Sequence, residues 1–196
     1  MSNELPTQDE FFKDGKIDSP QDNQEKVYDR VIFLDYDGVV NTPMWNEEGT
    51  QCDYSHPFKG RVNNFQAVQW LSEICQKFGY NIVVTSTWRK SNNYKDCLIN
   101  GGLRKGIEVI GRTKDLWKED GDSRGDEIKE YLTNHPEIKF YLIIDDEDVP
   151  LDEHRDHFIQ TNGDVGITLS DYIKAENIIK EDVLNGSSFH NKEIIQ

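Results

Sequence analysis

The sequence predicts an α/β protein, a three-layer α/β/α sandwich built around a central parallel sheet. Short, nearly continuous apolar runs follow one another along the chain, and segments of helical periodicity separate them. Apolar strands that alternate with helices are typical of parallel sheets covered on both faces. Because crossovers between parallel strands are right-handed, the helices are expected on both sides of the sheet. At 196 residues, the chain is long enough for one such domain with its own core.

Three runs are strong strand candidates because each contains three to five consecutive apolar residues. They are VIFL at 31–34, NIVVTS at 81–86 and KFYLIID at 139–145. Two further runs, IEVIG at 107–111 and HFIQT at 157–161, are weaker candidates. Together these five runs are the strands of the predicted sheet.

An amphipathic helix is predicted between the first two strands, because apolar residues recur there at steps of three and four and Gly79 follows them. These residues are Val62, Phe65, Val68, Leu71, Cys75 and Phe78. Helical patterns also fit about 91–100, 124–134 and 169–180. Each of these helices follows a predicted strand, as a parallel sheet requires.

The N-terminal segment, residues 1–27, is polar, acidic and weakly patterned, so we interpret it as a tail. It has neither the basic start nor the apolar centre of a signal peptide, and no apolar run is long enough to span a bilayer. The three cysteines, Cys52, Cys75 and Cys97, lack the spacing of metal ligands and fit reduced thiols. A cytoplasmic location is therefore expected.

The chain is strongly acidic, with 22 basic and 37 acidic residues and a formal net charge of −15. Such a surface repels bulk nucleic acid and anionic membranes. We therefore expect no membrane partner and no strong non-specific nucleic-acid binding. A ligand that carries phosphate would need a local positive site or a bound cation.

Polar side chains follow three of the predicted strands, at the sheet edge where ligands bind in such folds. They are Asp35 and Asp37 after the first strand, Thr85, Ser86 and Arg89 at and beyond the end of the second, and Asp145 and Asp146 at and beyond the end of the strand at 139–145. Carboxylates that repel one another become favourable neighbours when they share a divalent cation. Oxygen ligands without a nearby His or Cys suit Mg²⁺. The sequence therefore predicts a Mg²⁺ site at this edge.

The same residues resemble the four motifs of the haloacid dehalogenase (HAD) superfamily over about residues 28–180. The matching features are Asp35-x-Asp37-Gly38 after an apolar strand, a hydroxyl after the second strand, a later basic residue and the Asp145-Asp146 pair. The resemblance implies a HAD-like, Rossmannoid phosphatase domain over 28–185, followed by a C-terminal tail at 186–196.

The resemblance also implies roles for these residues. Asp35 would be a nucleophile that forms an aspartyl-phosphate, and Asp37 would be the general acid and base. Mg²⁺ would be held by Asp35, the backbone carbonyl of Asp37 and the 145–146 pair, with Asp146 as the direct ligand and Asp145 in support. Ser86 would bind a phosphoryl oxygen, and Thr85 is the alternative.

The resemblance also requires a cation near the phosphoryl group. The candidates are Lys105, Lys114, Lys118 and Arg124. We favour Arg124 because it stands at the start of the helix predicted at 124–134. The helix dipole disfavours a cation at that end, so a functional demand would explain its position.

Three segments, GYNIVVTSTWR, GDSRGDEIKEYL and LIIDDED, resemble a HAD group associated with RNA-repair proteins and the 3′-phosphatase domain of phage polynucleotide kinase. Segments 41–80 and 90–123 are short, which predicts a minimal cap and an open site suited to a macromolecular end. The resemblance thus implies a hydrolase of phosphomonoesters, acting on a nucleotide or on a nucleic-acid 3′-phosphate.

Aromatic and basic residues near the motifs are candidates for contacts with a nucleotide. Trp88 could stack on a base and Arg89 could hold a second phosphate, although a core position under the motif is an equal alternative for Trp88. Trp45 and Tyr54 are weaker stacking candidates.

The acidic stretch 145–156 opposes a long polynucleotide, because it carries seven acids and one arginine. A nucleotide or a short nucleic-acid end is therefore the expected partner. Two alternatives stay open: a phosphatase for small metabolites, such as sugar phosphates or nucleoside monophosphates, and a non-catalytic HAD protein that binds phosphate or acts as a scaffold.

Overall fold

The computed structural model describes residues 26–42, 64–116, 124–148 and 151–185. Within these ranges, five strands form one sheet in the order β3-β2-β1-β4-β5, and every neighbouring pair is parallel. The strands are β1 (Arg30–Leu34), β2 (Asn81–Val84), β3 (Val109–Arg112), β4 (Phe140–Asp145) and β5 (Phe158–Gln160). The predicted parallel sheet is confirmed, including its two weaker strands. The predicted tails at 1–27 and 186–196 lie almost entirely outside the described residues.

Four α-helices and two short 3-10 helices accompany the strands in the described part of the chain. The α-helices are α1 (Phe65–Phe78), α2 (Asp96–Asn100), α3 (Arg124–Asn134) and α4 (Leu169–Asn185). The 3-10 helices are Thr87–Lys90 and Asp152–His157. The helix predicted at about 91–100 is thus shorter, and α4 continues beyond residue 180.

The helices cover both faces of the sheet. Alternate β1 residues point to opposite sides, so Leu34 belongs to one core cluster and Phe33 to the other. The Leu34 side includes buried residues of α1, α2 and α4, whereas the Phe33 side includes Ile128 and Leu132 of α3. These two clusters confirm the three-layer α/β/α sandwich.

Helix α1 begins and ends where its flanking residues can satisfy the free backbone groups. The side chain of Asn64 accepts the Ala67 N–H at 3.1 Å, and Gly79 ends the helix with a φ of 77°. The helical periodicity predicts that Phe65 lies on the buried face, but this residue is 57% exposed. As the first residue of the helix, Phe65 packs beside Gly102 and not in the core. Val62, the other predicted residue at this end, lies outside the described ranges.

The register of the sheet brings the ends of three strands together. Leu34 of β1 is paired with Val84 of β2 and with Ile144 of β4. The ladder continues one residue further, because the Asp35 N–H donates to the Ile144 carbonyl at 3.0 Å and the Thr85 N–H donates to Leu34 at 2.9 Å. The residues that follow the three strands therefore lie side by side at one edge. In the described ranges, no helix is long and apolar enough to cross a membrane.

Candidate active site

Three aspartates meet at the carboxyl ends of β1 and β4. Asp35, Asp145 and Asp146 each offer a carboxylate oxygen, and these oxygens all lie within 4.8 Å of one another. Asp35 and Asp145 are buried, and Asp146 is half-buried. A set of oxygen donors without His or Cys fits a hard divalent cation such as Mg²⁺. We call these three residues the aspartate cluster.

The aspartate cluster is electrostatically unfavourable on its own. Burial raises the pKa of Asp35 above its ordinary value, and the neighbouring Asp145 carboxylate raises it further. Burial likewise raises the pKa of Asp145 and of Asp146. Since desolvation and like charges both disfavour the ionised forms, the ionised cluster needs nearby positive charge.

Arg124 supplies positive charge from the first residue of α3. Its Nη1 lies 3.2 Å from Asp35 Oδ1 and also donates to Asp145 Oδ2. The guanidinium opposes the upward shift of both pKa values. The other described candidates lie elsewhere: Lys105 is exposed, and Lys114 forms an exposed ion pair with Glu130. Lys118 lies outside the described residues.

Asp145 has both carboxylate oxygens engaged within the protein. Its Oδ1 accepts the Glu147 N–H at 3.0 Å, and its Oδ2 accepts from Arg124. Its side chain is also fully buried. This arrangement fits a supporting position, in which Asp145 holds Arg124 and the turn after β4.

Asp146 occupies space that two glycines leave open. A Cβ atom at Gly38 would lie 2.2 Å from Asp146 Oδ2, and one at Gly163 would lie 2.7 Å from the same atom. Gly38 also has a φ of 76°, which favours glycine over other residues. The two glycines therefore leave room for the Asp146 carboxylate between the loop after β1 and the loop after β5.

The loop after β5 supports the loop after β1. Thr161 Oγ1 donates to the Gly38 carbonyl at 3.0 Å, and the Ile167 N–H donates to the Val39 carbonyl at 3.0 Å. The sequence pattern indicates no role for Thr161 or for Gly163. Their only signal in the sequence is the glycine-rich turn GDVG between β5 and α4.

The Asp37 side chain is held by two donors. Its Oδ2 accepts the indole N–H of Trp88 at 2.8 Å, and its Oδ1 accepts from the Asn41 side-chain amide. Trp88 is only 7% exposed and packs against Tyr36, with the ring centroids 5.9 Å apart. The structure thus contradicts base stacking by Trp88 and gives it the alternative core position. Asn41 was missed, because nothing in the sequence pattern indicates that it turns back to Asp37.

The two hydroxyls after β2 have different surroundings. Interaction with the Ser86 hydroxyl lowers the pKa of Asp35 and so opposes the rise that burial causes. The Ser86 oxygen also accepts the Trp88 N–H at 3.4 Å. The Thr85 hydroxyl is buried and has no hydrogen-bond partner among the described residues. Of the two hydroxyls, Ser86 is therefore the one that acts on the pKa of the predicted nucleophile.

Arg89 lies inside the protein and faces carboxylates. Its side chain is 7% exposed, and its Nη2 lies 2.7 Å from Glu127 and 3.4 Å from Asp115. Its Nη1 donates to the Thr85 carbonyl. These contacts contradict the predicted contact with a second phosphate, because the 3-10 helix at Thr87–Lys90 turns Arg89 inward towards α3. The stacking candidates Trp45 and Tyr54 lie outside the described residues.

A parallel α/β/α sandwich with paired aspartates at its strand ends is the arrangement expected of a HAD-type domain. The family model described as "HAD domain in Swiss Army Knife RNA repair proteins" matches residues 31–172, and the chain belongs to this family. The predicted resemblance to the HAD group of RNA-repair proteins is thereby confirmed.

Comparisons with curated proteins and with solved structures gave less similarity than the family model. No match was found among curated proteins. One chain in a solved structure titled "Structure of Pnkp1/Rnl/Hen1 complex" is similar, with 14% sequence identity and a TM-score of 0.43. The similarity covers 79% of this chain and 52% of that chain, so this chain spans about half of the other's length.

Mg²⁺ is expected to stabilise the protein through the aspartate cluster. At a concentration one hundred times its Kd, a ligand contributes about 2.7 kcal/mol, which corresponds to a rise in Tm of roughly 5–10 °C for a domain of this size. Asp146→Asn should reduce this rise, because it removes a charged oxygen ligand. Thermal unfolding with and without Mg²⁺ measures both effects.

The matched control is Asp164→Asn, an exposed acid in the loop after β5. It should retain the full Mg²⁺-dependent rise in Tm. An equal rise in all three proteins would show that Mg²⁺ does not bind at Asp146.

Proposed function

We propose that the protein is a Mg²⁺-dependent phosphomonoester hydrolase that works through an aspartyl-phosphate and acts on a nucleotide or nucleic-acid 3′-phosphate. The observation that carries the proposal is the contact of Asp35 with Arg124 inside a buried aspartate cluster. Membership of a HAD family whose description names RNA repair proteins supports both the reaction type and the substrate class.

Asp35 is proposed to attack the phosphorus atom through one carboxylate oxygen. The bond from phosphorus to the leaving oxygen breaks, and Asp37 gives that oxygen a proton. A water molecule then attacks the phosphorus of the aspartyl-phosphate while Asp37 takes its proton. This second step releases inorganic phosphate and restores both carboxyl groups, so one difficult hydrolysis becomes two displacements.

Positive charge is needed because a carboxylate must approach a phosphate dianion. Arg124 and the Ser86 hydroxyl are proposed to bind phosphoryl oxygens, since both already interact with Asp35. Asp35, Asp146 and the backbone carbonyl of Asp37 would hold Mg²⁺, with Asp145 in support. The bound ion would offset the repulsion between nucleophile and phosphate.

A second candidate is a phosphatase for small metabolites. The acidic residues that follow Asp146 favour it, because Asp148, Asp152 and Glu153 are exposed close to the site in sequence and would repel a long polyanion. The segments of the predicted minimal cap include residues 43–63 and 117–123, which lie outside the described ranges.

A substrate screen in the presence of Mg²⁺ tests the proposed function. Phosphate release should be fastest from 3′-phosphorylated oligonucleotides, slower from nucleoside monophosphates and slowest from sugar phosphates. Asp35→Asn should lower every rate by roughly a thousandfold or more, because the amide keeps the shape of the side chain but is a poor nucleophile.

Two outcomes would count against the proposal. A clear preference for sugar phosphates would favour the small-metabolite phosphatase. Substantial hydrolysis by Asp35→Asn would remove the aspartyl-phosphate step altogether.

Trp88 is expected to position Asp37 for proton transfer. Trp88→Phe removes the indole N–H at 2.8 Å from Asp37 and keeps an aromatic ring against Tyr36. We expect kcat to fall about tenfold for an alkyl phosphate, which needs a proton on its leaving oxygen. The fall should be smaller for p-nitrophenyl phosphate, whose leaving group is stable as an anion.

The control for this comparison is Trp70→Phe, which changes a half-buried tryptophan in the same core cluster. It should not alter the ratio of the two rates. If Trp88→Phe lowers kcat equally for both substrates, the tryptophan acts on folding or packing and not on the proton transfer.

A further inference from the structure

One stretch of this acidic chain is basic. Residues 86–116 contain seven basic and three acidic side chains, so their net charge is +4 in a chain of net charge −15. The basic residues are Arg89, Lys90, Lys95, Arg104, Lys105, Arg112 and Lys114. This stretch starts at Ser86, inside the candidate active site, and continues through β3.

Four of these residues form an exposed group, which we call the basic face: Lys90, Lys95, Arg112 and Lys114. Arg112 ends β3, and its guanidinium donates to the Arg89 carbonyl. That contact joins the end of β3 to the 3-10 helix after β2. The basic face therefore lies at the carboxyl ends of β2 and β3, on the same edge of the sheet as the aspartate cluster.

Tyr94 connects the basic face to the site. The Arg112 guanidinium lies 5.0 Å from the centre of its ring, and Lys95 Nζ lies 5.7 Å from it. The Tyr94 carbonyl accepts the hydroxyl of Tyr36 at 2.7 Å, and Tyr36 is the middle residue of the Asp-Tyr-Asp motif. Since β3 is two strands from β1, the basic face begins about 10 Å from the nucleophile.

The opposite side of the site carries the opposite charge. Residues 145–156 follow β4 and lead into β5, and they have seven acids and one arginine. A polyanion that reaches Asp35 is repelled on the β4–β5 side and attracted on the β2–β3 side. This difference in charge defines one favourable direction of approach.

The partners of the basic face do not prevent it from binding phosphate. Lys90 Nζ lies 2.7 Å from Asp115, and Lys114 pairs with Glu130, but these ion pairs are exposed to solvent. Exposed ion pairs contribute little to stability, so exchanging them for a phosphate costs little.

We infer that the basic face binds the strand of a single-stranded nucleic acid whose terminal phosphate lies at Asp35. Its backbone phosphates contact Lys90, Lys95, Arg112 and Lys114. This inference rests on the proposed function and adds the path of the bound strand, which leaves the site across β2 and β3.

Binding to the Asp35→Asn protein tests the inference, because this variant should hold substrate without turning it over. Fluorescence anisotropy gives the Kd of a labelled, single-stranded oligonucleotide with a 3′-phosphate over a range of salt concentrations. Adding Lys95→Gln and Lys114→Gln should raise the Kd. The slope of log Kd against log salt concentration should also fall by about 1.4, because each of the two lost phosphate contacts contributes about 0.7 to it.

The matched control carries Lys174→Gln and Lys180→Gln in the same background. These α4 lysines are 54% and 61% exposed, and each pairs with an acid on its own helix. The control also loses two positive charges, but from another surface, so its Kd should stay close to that of the parent. The comparison separates a local contact from the effect of net charge.

Two results would overturn the inference. One is equal weakening by the two double variants, and the other is no measurable binding by the parent. Both leave the phosphatase assignment intact if the substrate screen shows hydrolysis. Conversely, failure of the screen would remove the proposed function, while the anisotropy comparison would still report whether the basic face binds the oligonucleotide.

Discussion

The repulsion among buried and half-buried carboxylates at the ends of β1 and β4 is the constraint that organises this protein. Asp35, Asp145 and Asp146 lie within 4.8 Å of one another at a sheet edge that excludes most solvent. Arg124 compensates part of their charge from the start of α3, where the helix dipole gives it no advantage. A divalent cation would compensate much of the rest. The fold tolerates this cluster because parallel strands in register deliver its members to one place.

The surrounding loops fix the direction in which each carboxylate points. Glycines at 38 and 163 leave room for Asp146, whereas Trp88 and Asn41 turn the Asp37 side chain towards themselves. Asp35 and Asp37, which only Tyr36 separates in the sequence, thus have different surroundings. Asp35 lies among acids and Arg124, whereas Asp37 lies beside neutral hydrogen-bond donors. This difference supports separate roles as nucleophile and as general acid, which is the division of labour that the proposed chemistry requires.

Much of the fold and of the site was predictable from the sequence, because apolar runs mark buried strands and polar residues at their ends mark the sheet edge. All five strands follow from such local patterns, and the meeting of Asp35 with Arg124 follows from the resemblance to the HAD motifs. The inward turn of Arg89 did not follow, and the sequence left Trp88 open between the core and a stacking position. A 3-10 helix after a strand changes which way side chains point, and periodicity contains no information on that change. The support from Thr161 depends on contacts between loops distant in sequence.

The most direct test of the account is to trap the phosphorylated nucleophile. Asp37→Asn should form the aspartyl-phosphate from p-nitrophenyl phosphate, whose leaving group needs no proton, but should hydrolyse it slowly for lack of a base. With a radiolabelled phosphoryl group, acid quenching should show a burst of about one nitrophenolate per protein. The label should map to the peptide that contains Asp35, and Asp35→Asn should show neither signal. A burst without label on that peptide, or label on another residue, would contradict the account.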